Sequence, residues 1–189
     1  MLKGIDQGLS AEIVQGLKLM GHGDDLVICD VNRPAATIAT DTTYGRLIDM
    51  AGCDIPTSAR AILTLMSLDS FVPAPISRMQ VVGEPTAERP NFARMQAVAD
   101  SAEGRAVTMQ SLERFACYDA AKRAFTVFRT ADSGPYGCFI LKKGVMDLAE
   151  LSGPDRGLGA NPPPFQSLST PRRCRSAIAT PRSPSSAVA

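Results

Sequence analysis

The apolar positions of this chain switch repeatedly between helical and strand spacing. Ile13, Val14, Leu17 and Met20 recur at helical intervals after Ser10, which predicts an amphipathic helix. Ser10 is placed to cap its start, and Leu9 and Val14 to pair across its first turn. Gly21 and Gly23 end that helix, and Leu26-Val27-Ile28-Cys29 follows as a short apolar run of the kind found in buried strands. A strand is expected over 45–50, then a helix over 58–68 built on Ala61, Ile62, Leu65 and Met66. A strand over 76–82 and a helix over 91–102 come next. Residues 112–124 are predicted helical, with Cys117, Ala120, Ala121 and Ala124 making a small-residue face that can lie close on a sheet. Strands over 125–129 and 137–141 then flank the turn-rich segment Thr130–Pro135. Such alternation predicts an α/β domain with helices on both faces of one sheet.

The pattern stops near Glu150. Half of the 14 prolines lie beyond it, among many serines, a composition that cannot bury enough apolar surface to offset chain entropy. Residues 1–150 are therefore expected to form one domain and residues 151–189 a disordered tail. The tail also holds Arg156, Arg172, Arg173, Arg175 and Arg182 against the single acid Asp155. The formal net charge of +1 thus hides a slightly acidic body, which argues against nucleic acid as its partner. With 44% hydrophobic and 21% charged residues and no long apolar run, the chain reads as soluble, without a membrane span. It shows no charged-then-apolar leader, so a cytoplasmic location is the expectation. The five cysteines are scattered and the chain has one histidine, which suggests neither a disulfide framework nor a metal centre.

Five places could carry chemistry. His22 stands between two glycines, where an imidazole titrating near pH 6.5 could move protons; equally, it could cap the last carbonyls of the preceding helix. Asp30 ends an apolar strand, the usual place for a ligand in an open α/β sheet, though an Asx turn toward Asn32 explains it as well. Arg114 and Tyr118 lie one helical turn apart, so that a guanidinium could assist a phenol; an exposed stack is the plainer outcome. Asp69 is expected at a helix C-terminus, where an acid opposes the macrodipole, and Tyr136 precedes Gly137 at a strand entrance. There is no Gly-rich phosphate loop, nucleophile elbow or dinucleotide fingerprint.

Taken in order, these segments resemble the L-fucose mutarotase and D-ribose pyranase family, its fucose-type branch in particular. The matching pieces are Met20-Gly21-His22-Gly23-Asp24, Cys29-Asp30 with Asn32 and Pro34, and Leu68-Asp69-Ser70-Phe71. They continue with Glu113-Arg114-Phe115-Ala116-Cys117-Tyr118, Tyr136-Gly137-Cys138 and Ile140-Leu141-Lys142-Lys143-Gly144-Val145. The resemblance implies a three-layer α/β/α sandwich around one mixed sheet, assembled into a ring, commonly a decamer, with active sites shared between subunits. It implies interconversion of monosaccharide anomers without cofactor or metal. It matches His22 and Tyr118 to catalytic groups, and Asp30, Asp69, Met79, Arg114 and Tyr136 to sugar contacts. Cys138 stands where fucose-type enzymes often carry a sugar-binding asparagine, and Arg33 where an aromatic residue is usual.

The chemistry so implied needs two proton carriers and no redox partner. Its nearest rival is pyranase activity, exchanging pyranose and furanose forms of ribose or a related pentose. A non-catalytic sugar-binding protein is a second alternative, and anion or RNA binding through the Arg172–Arg175 cluster a third.

Overall fold

A computed structural model describes residues 2–50 and 52–146; the expected tail lies outside the described residues. The elements are α1 (Ala11–Leu19), β1 (Asp25–Cys29), α2 (Ala35–Thr40), β2 (Leu47–Met50), α3 (Ile55–Leu63) and β3 (Ile76–Met79). They continue with α4 (Pro90–Glu103), β4 (Met109–Leu112), α5 (Arg114–Lys122), β5 (Thr126–Thr130) and β6 (Cys138–Lys142). The strands form one sheet in the order β2-β5-β1-β6-β3-β4. All neighbours run parallel except at β6, which is antiparallel to both β1 and β3. The sheet is therefore mixed.

Strand alternation sorts the core into two faces. Leu26, Ile28, Phe128, Phe139 and Leu141 point to one side and pack with residues of α1, α3 and α4. Val27, Cys29, Val127, Cys138 and Ile140 point to the other, against Ala35, Ile38 and Ala39 of α2 and Cys117 and Ala121 of α5. Three layers result, and the small residues expected on α5 let it lie close on the strands.

Several local expectations hold. The Ser10 side chain accepts from the Ile13 N–H at the start of α1. Others need correction. The third helix begins three residues before 58, because Asp54 caps it through the Thr57 N–H, and it stops at Leu63. Asp69 is thus not at a helix end, and the macrodipole argument does not apply to it. The strand expected to reach 82 ends at Met79, and the helix expected from 112 begins at Arg114, because Met109–Leu112 forms strand β4 beside β3. The short α2 has only six residues, too few for a readable period. β5 and β6 follow each other in sequence, but β1 lies between them. Among the described residues no helix is long and apolar enough to cross a membrane.

The segment after β6 closes on the loop that follows α3. The Gly144 N–H donates to the Ser67 carbonyl and the Asp69 N–H to the Lys142 carbonyl. A Cβ on Gly144 would stand 2.5 Å from the Leu68 carbonyl oxygen, and backbone cannot give way as a side chain can. Gly144→Ala should therefore cost about 1–3 kcal/mol in urea unfolding, whereas Ser10→Ala, losing one cap bond, should cost about 1 kcal/mol.

Candidate active site

The residues singled out from sequence gather beyond the two opposite ends of the central strands β1 and β6, at the N-terminal and C-terminal edges of β1. His22 sits in the turn that enters β1. Gly21 N–H donates to the Asp24 carboxylate, and the Gly23 N–H donates to the Lys143 carbonyl, so the turn is fastened to the end of β6. The C-terminal carbonyls of α1 are capped by another group: Lys143 Nζ donates to the carbonyls of Leu17 and Met20 at 2.9 and 2.6 Å. His22 is thereby released from the capping role open to it in the sequence. Its side chain is half exposed, with Nε2 3.4 Å from Asp69 Oδ1 and the Phe71 ring edge-on at 5.6 Å. Asp69 is nearly fully buried, and its Oδ1 also accepts from the Phe71 N–H at 2.9 Å. That N–H, followed by the neighbouring imidazole, holds the carboxyl below the usual aspartate range. Phe71 itself is 75% exposed, so this edge presents an imidazole and an aromatic ring side by side.

The opposite edge holds the other candidates. Asp30 follows β1 and faces the start of β6. The Asp30 N–H donates to the Gly137 carbonyl, and the Gly137 N–H returns a bond to Asp30 Oδ2 at 2.8 Å. Oδ1 takes the Asn32 N–H at 2.8 Å, so the Asx turn left open by the sequence is present. Burial pushes this carboxyl above its ordinary value, against the pull of those main-chain donors. An ionised Asp30 thus costs the fold some stability at neutral pH, in return for a fixed acceptor. A Cβ on Gly137 would meet Ile55 Cδ1 at 2.5 Å and Asp30 at 3.0 Å; the closeness of β6 to Asp30 requires glycine there. Tyr136, just before it, has φ +64°, a strained conformation for a bulky residue and one that clusters at functional positions. The Arg89 guanidinium lies 5.3 Å from the Tyr136 ring.

Tyr118 and Met79 lie on the α5 side of this edge, packed against the cluster that includes Cys29, Cys117 and Cys138. The guanidinium on the phenol is not that of Arg114, which stacks on Phe115 at 4.6 Å. It belongs to Arg33, 4.4 Å from the Tyr118 ring centre. Arg33 Nη2 also donates to the Cys117 carbonyl at 3.2 Å. The Cys117 and Cys138 sulfurs are 3.8 Å apart. The Cys138 hydrogen bond, with help from Arg33, draws the Cys117 thiol down; the same contact and burial drive Cys138 up. Cys138 is thus a closed, sulfur-bonded group. The sequence marked Arg33 as standing where an aromatic residue is usual but did not pair it with Tyr118; no periodicity links residues 33 and 118.

The five residues of β1 alone separate the two edges by about 13 Å. The imidazole and the phenol therefore face different edges of a single subunit. Residues 3–146 match the family model described as the RbsD / FucU transport protein family. The chain belongs to the RbsD / FucU family. It is 38% identical over 150 residues to the fucose mutarotase of Mus musculus, covering 78% of this chain and 96% of that one. Its fold is similar to FucU from Bifidobacterium longum, with TM-score 0.71 and 35% identity over 77% of this chain and 100% of the other. The fucose mutarotase of Streptococcus pneumoniae, solved with L-fucose, gives TM-score 0.69 and 32% identity, again over 77% and 100%. These matches bear out the resemblance read from the sequence, and with it the mixed-sheet α/β fold.

The direction of the Asp69 shift fixes a pH dependence. A carboxyl held below its unfolded value of about 3.9 stabilises the fold fully above that value and loses this contribution as pH falls through the folded one. Asp69→Asn should therefore flatten the acid limb of the stability curve below about pH 4, followed by urea midpoints at each pH. An unchanged acid limb would remove the interaction assigned to Asp69.

Proposed function

We propose that this protein is a cofactor-independent sugar mutarotase that interconverts the α and β anomers of L-fucose or a related monosaccharide. The relatives named fucose mutarotase support the reaction class. The observation that carries the mechanism is the division of the candidate groups between the two ends of the central strands. His22 with Asp69 forms one half of a site; Asp30, Tyr136, Met79, Arg114, Tyr118 and Cys138 form the other. A ring of like subunits that sets one edge against the next makes each active site from two chains, as a head-to-tail interface does.

In the assembled site, one proton carrier protonates the ring oxygen while the other removes the proton of the anomeric hydroxyl. The bond between the anomeric carbon and the ring oxygen breaks, leaving the open-chain aldehyde. Rotation about the neighbouring carbon–carbon bond and reversal of both proton transfers close the ring on the other carbonyl face. His22, steadied by the Asp69 carboxylate, and Tyr118, beside the Arg33 charge, serve as the two carriers. Asp30 accepts sugar hydroxyls, and Arg114, Tyr136, Met79 and Cys138 line the site. The Arg33 guanidinium, 4.4 Å from the ring centre, holds the Tyr118 phenol in place. Cys138, with its thiol turned to Cys117, is a poorer partner for sugar hydroxyls than an amide.

The test uses complementation. His22→Ala and Tyr118→Phe should each lower anomer exchange about 10²–10⁴-fold, read by saturation-transfer NMR on L-fucose. Co-expressed in equal amounts, the two variants should assemble mixed rings in which about a quarter of the sites hold both native groups. Exchange should then return to about that fraction. If each variant is inactive and the mixture stays inactive, the shared site is wrong. Exchange of ribose between pyranose and furanose forms, without an effect on fucose anomers, would favour the pyranase alternative.

A further inference from the structure

One charge at the candidate site makes no ion pair. Arg33 is 7% exposed. Its Nη2 donates to the Cys117 carbonyl and approaches the Cys117 sulfur at 3.8 Å, while Nη1 lies 3.8 Å from the Met79 sulfur. Its Nε, buried, has no hydrogen-bond partner. Among the described residues no carboxylate lies within ion-pair distance of it. Asp30 is close by, but its carboxylate turns to the Asn32 and Gly137 main-chain N–H groups and forms no ion pair with Arg33. The guanidinium is held by one carbonyl, two sulfurs and the Tyr118 ring face, and a buried donor left without a partner is costly. A planar carboxylate fits its fork and would remove that cost.

We propose that Arg33 determines substrate class: the sugar this protein prefers carries a carboxylate, as a uronic acid does. The inference rests on the mutarotase reading, because Tyr118 and Met79, which the guanidinium touches, are proposed to meet the sugar. The alternative role is a strut, in which Arg33 only ties the segment before α2 to α5 through the Cys117 carbonyl. A strut is indifferent to the charge of the sugar, whereas a recognition group is not.

Paired sugars separate the two. D-galacturonate and D-galactose, and D-glucuronate and D-glucose, differ only in a carboxylate or a hydroxymethyl at the last carbon. Binding to the full chain is measured by ligand-observed NMR, and anomer exchange by saturation transfer in the same samples. At least one acid should bind about tenfold or more tighter than its neutral partner. That gap should close in Arg33→Met and reopen in part in Arg33→Lys, which keeps the charge but not the fork. If no acid binds tighter than its neutral partner, or if the gap persists in Arg33→Met, the proposal is overturned. Should Arg33→Met fail to fold, the native comparison decides alone. A preference for the acid with no exchange of any sugar keeps Arg33 as the selecting group and removes the mutarotase reading. Fucose exchange with no preference for either acid does the opposite.

Discussion

The ladder that β6 makes with β1 and β3 is the constraint on which both halves of the proposed site depend. Among the described strands β6 alone is antiparallel to its neighbours, so its start lies beside the end of β1 and its end beside the start of β1. At the start, the paired bonds between Asp30 and Gly137 fix the carboxylate and the strained Tyr136. At the end, Lys143 accepts from Gly23 and caps α1, while the Lys142 carbonyl takes the Asp69 N–H. The imidazole and its carboxylate are thus held through the same strand as the opposite edge, with no contact between the two sets.

This arrangement stores unfavourable terms where the chemistry is expected. The Asp30 carboxyl is buried and raised, the Arg33 guanidinium is buried without an ion pair, and Tyr136 sits at positive φ. None of these helps an isolated subunit to fold. Each is what a prearranged site needs: a fixed acceptor, a fixed positive charge and a ring aimed by its backbone. The thiols add no such group; burial pushes Cys29 up to about 12, which leaves it an inert part of the core.

Much of the architecture was legible because long apolar periods announce it. α1, α4, β1, β5 and β6 lie close to where their spacing placed them, and the Ser10 cap is where the sequence put it. Failures occurred where tertiary contacts override a weak local signal. Met109–Leu112 carries no alternation and becomes a strand only by pairing with β3. Asp54 draws the start of α3 forward by three residues, and the helix stops at Leu63, which leaves Asp69 in a loop rather than at a helix end. For the site, residue types and order pointed to His22, Asp30, Asp69 and Tyr118. Which groups touch was not legible: the partner of Tyr118 is 85 positions away at Arg33, and Lys143, not His22, closes α1.

The place of β6 in the sheet also matters to how the chain is made. Among the described residues it is the last strand in sequence, yet it fills a gap between β1 and β3. Until residues 138–142 leave the ribosome, those two strands each present an unpaired rim of N–H and C=O groups, the kind of surface that draws strands from other nascent chains. Synthesis that stalls before β6 has emerged would thus yield an aggregation-prone intermediate.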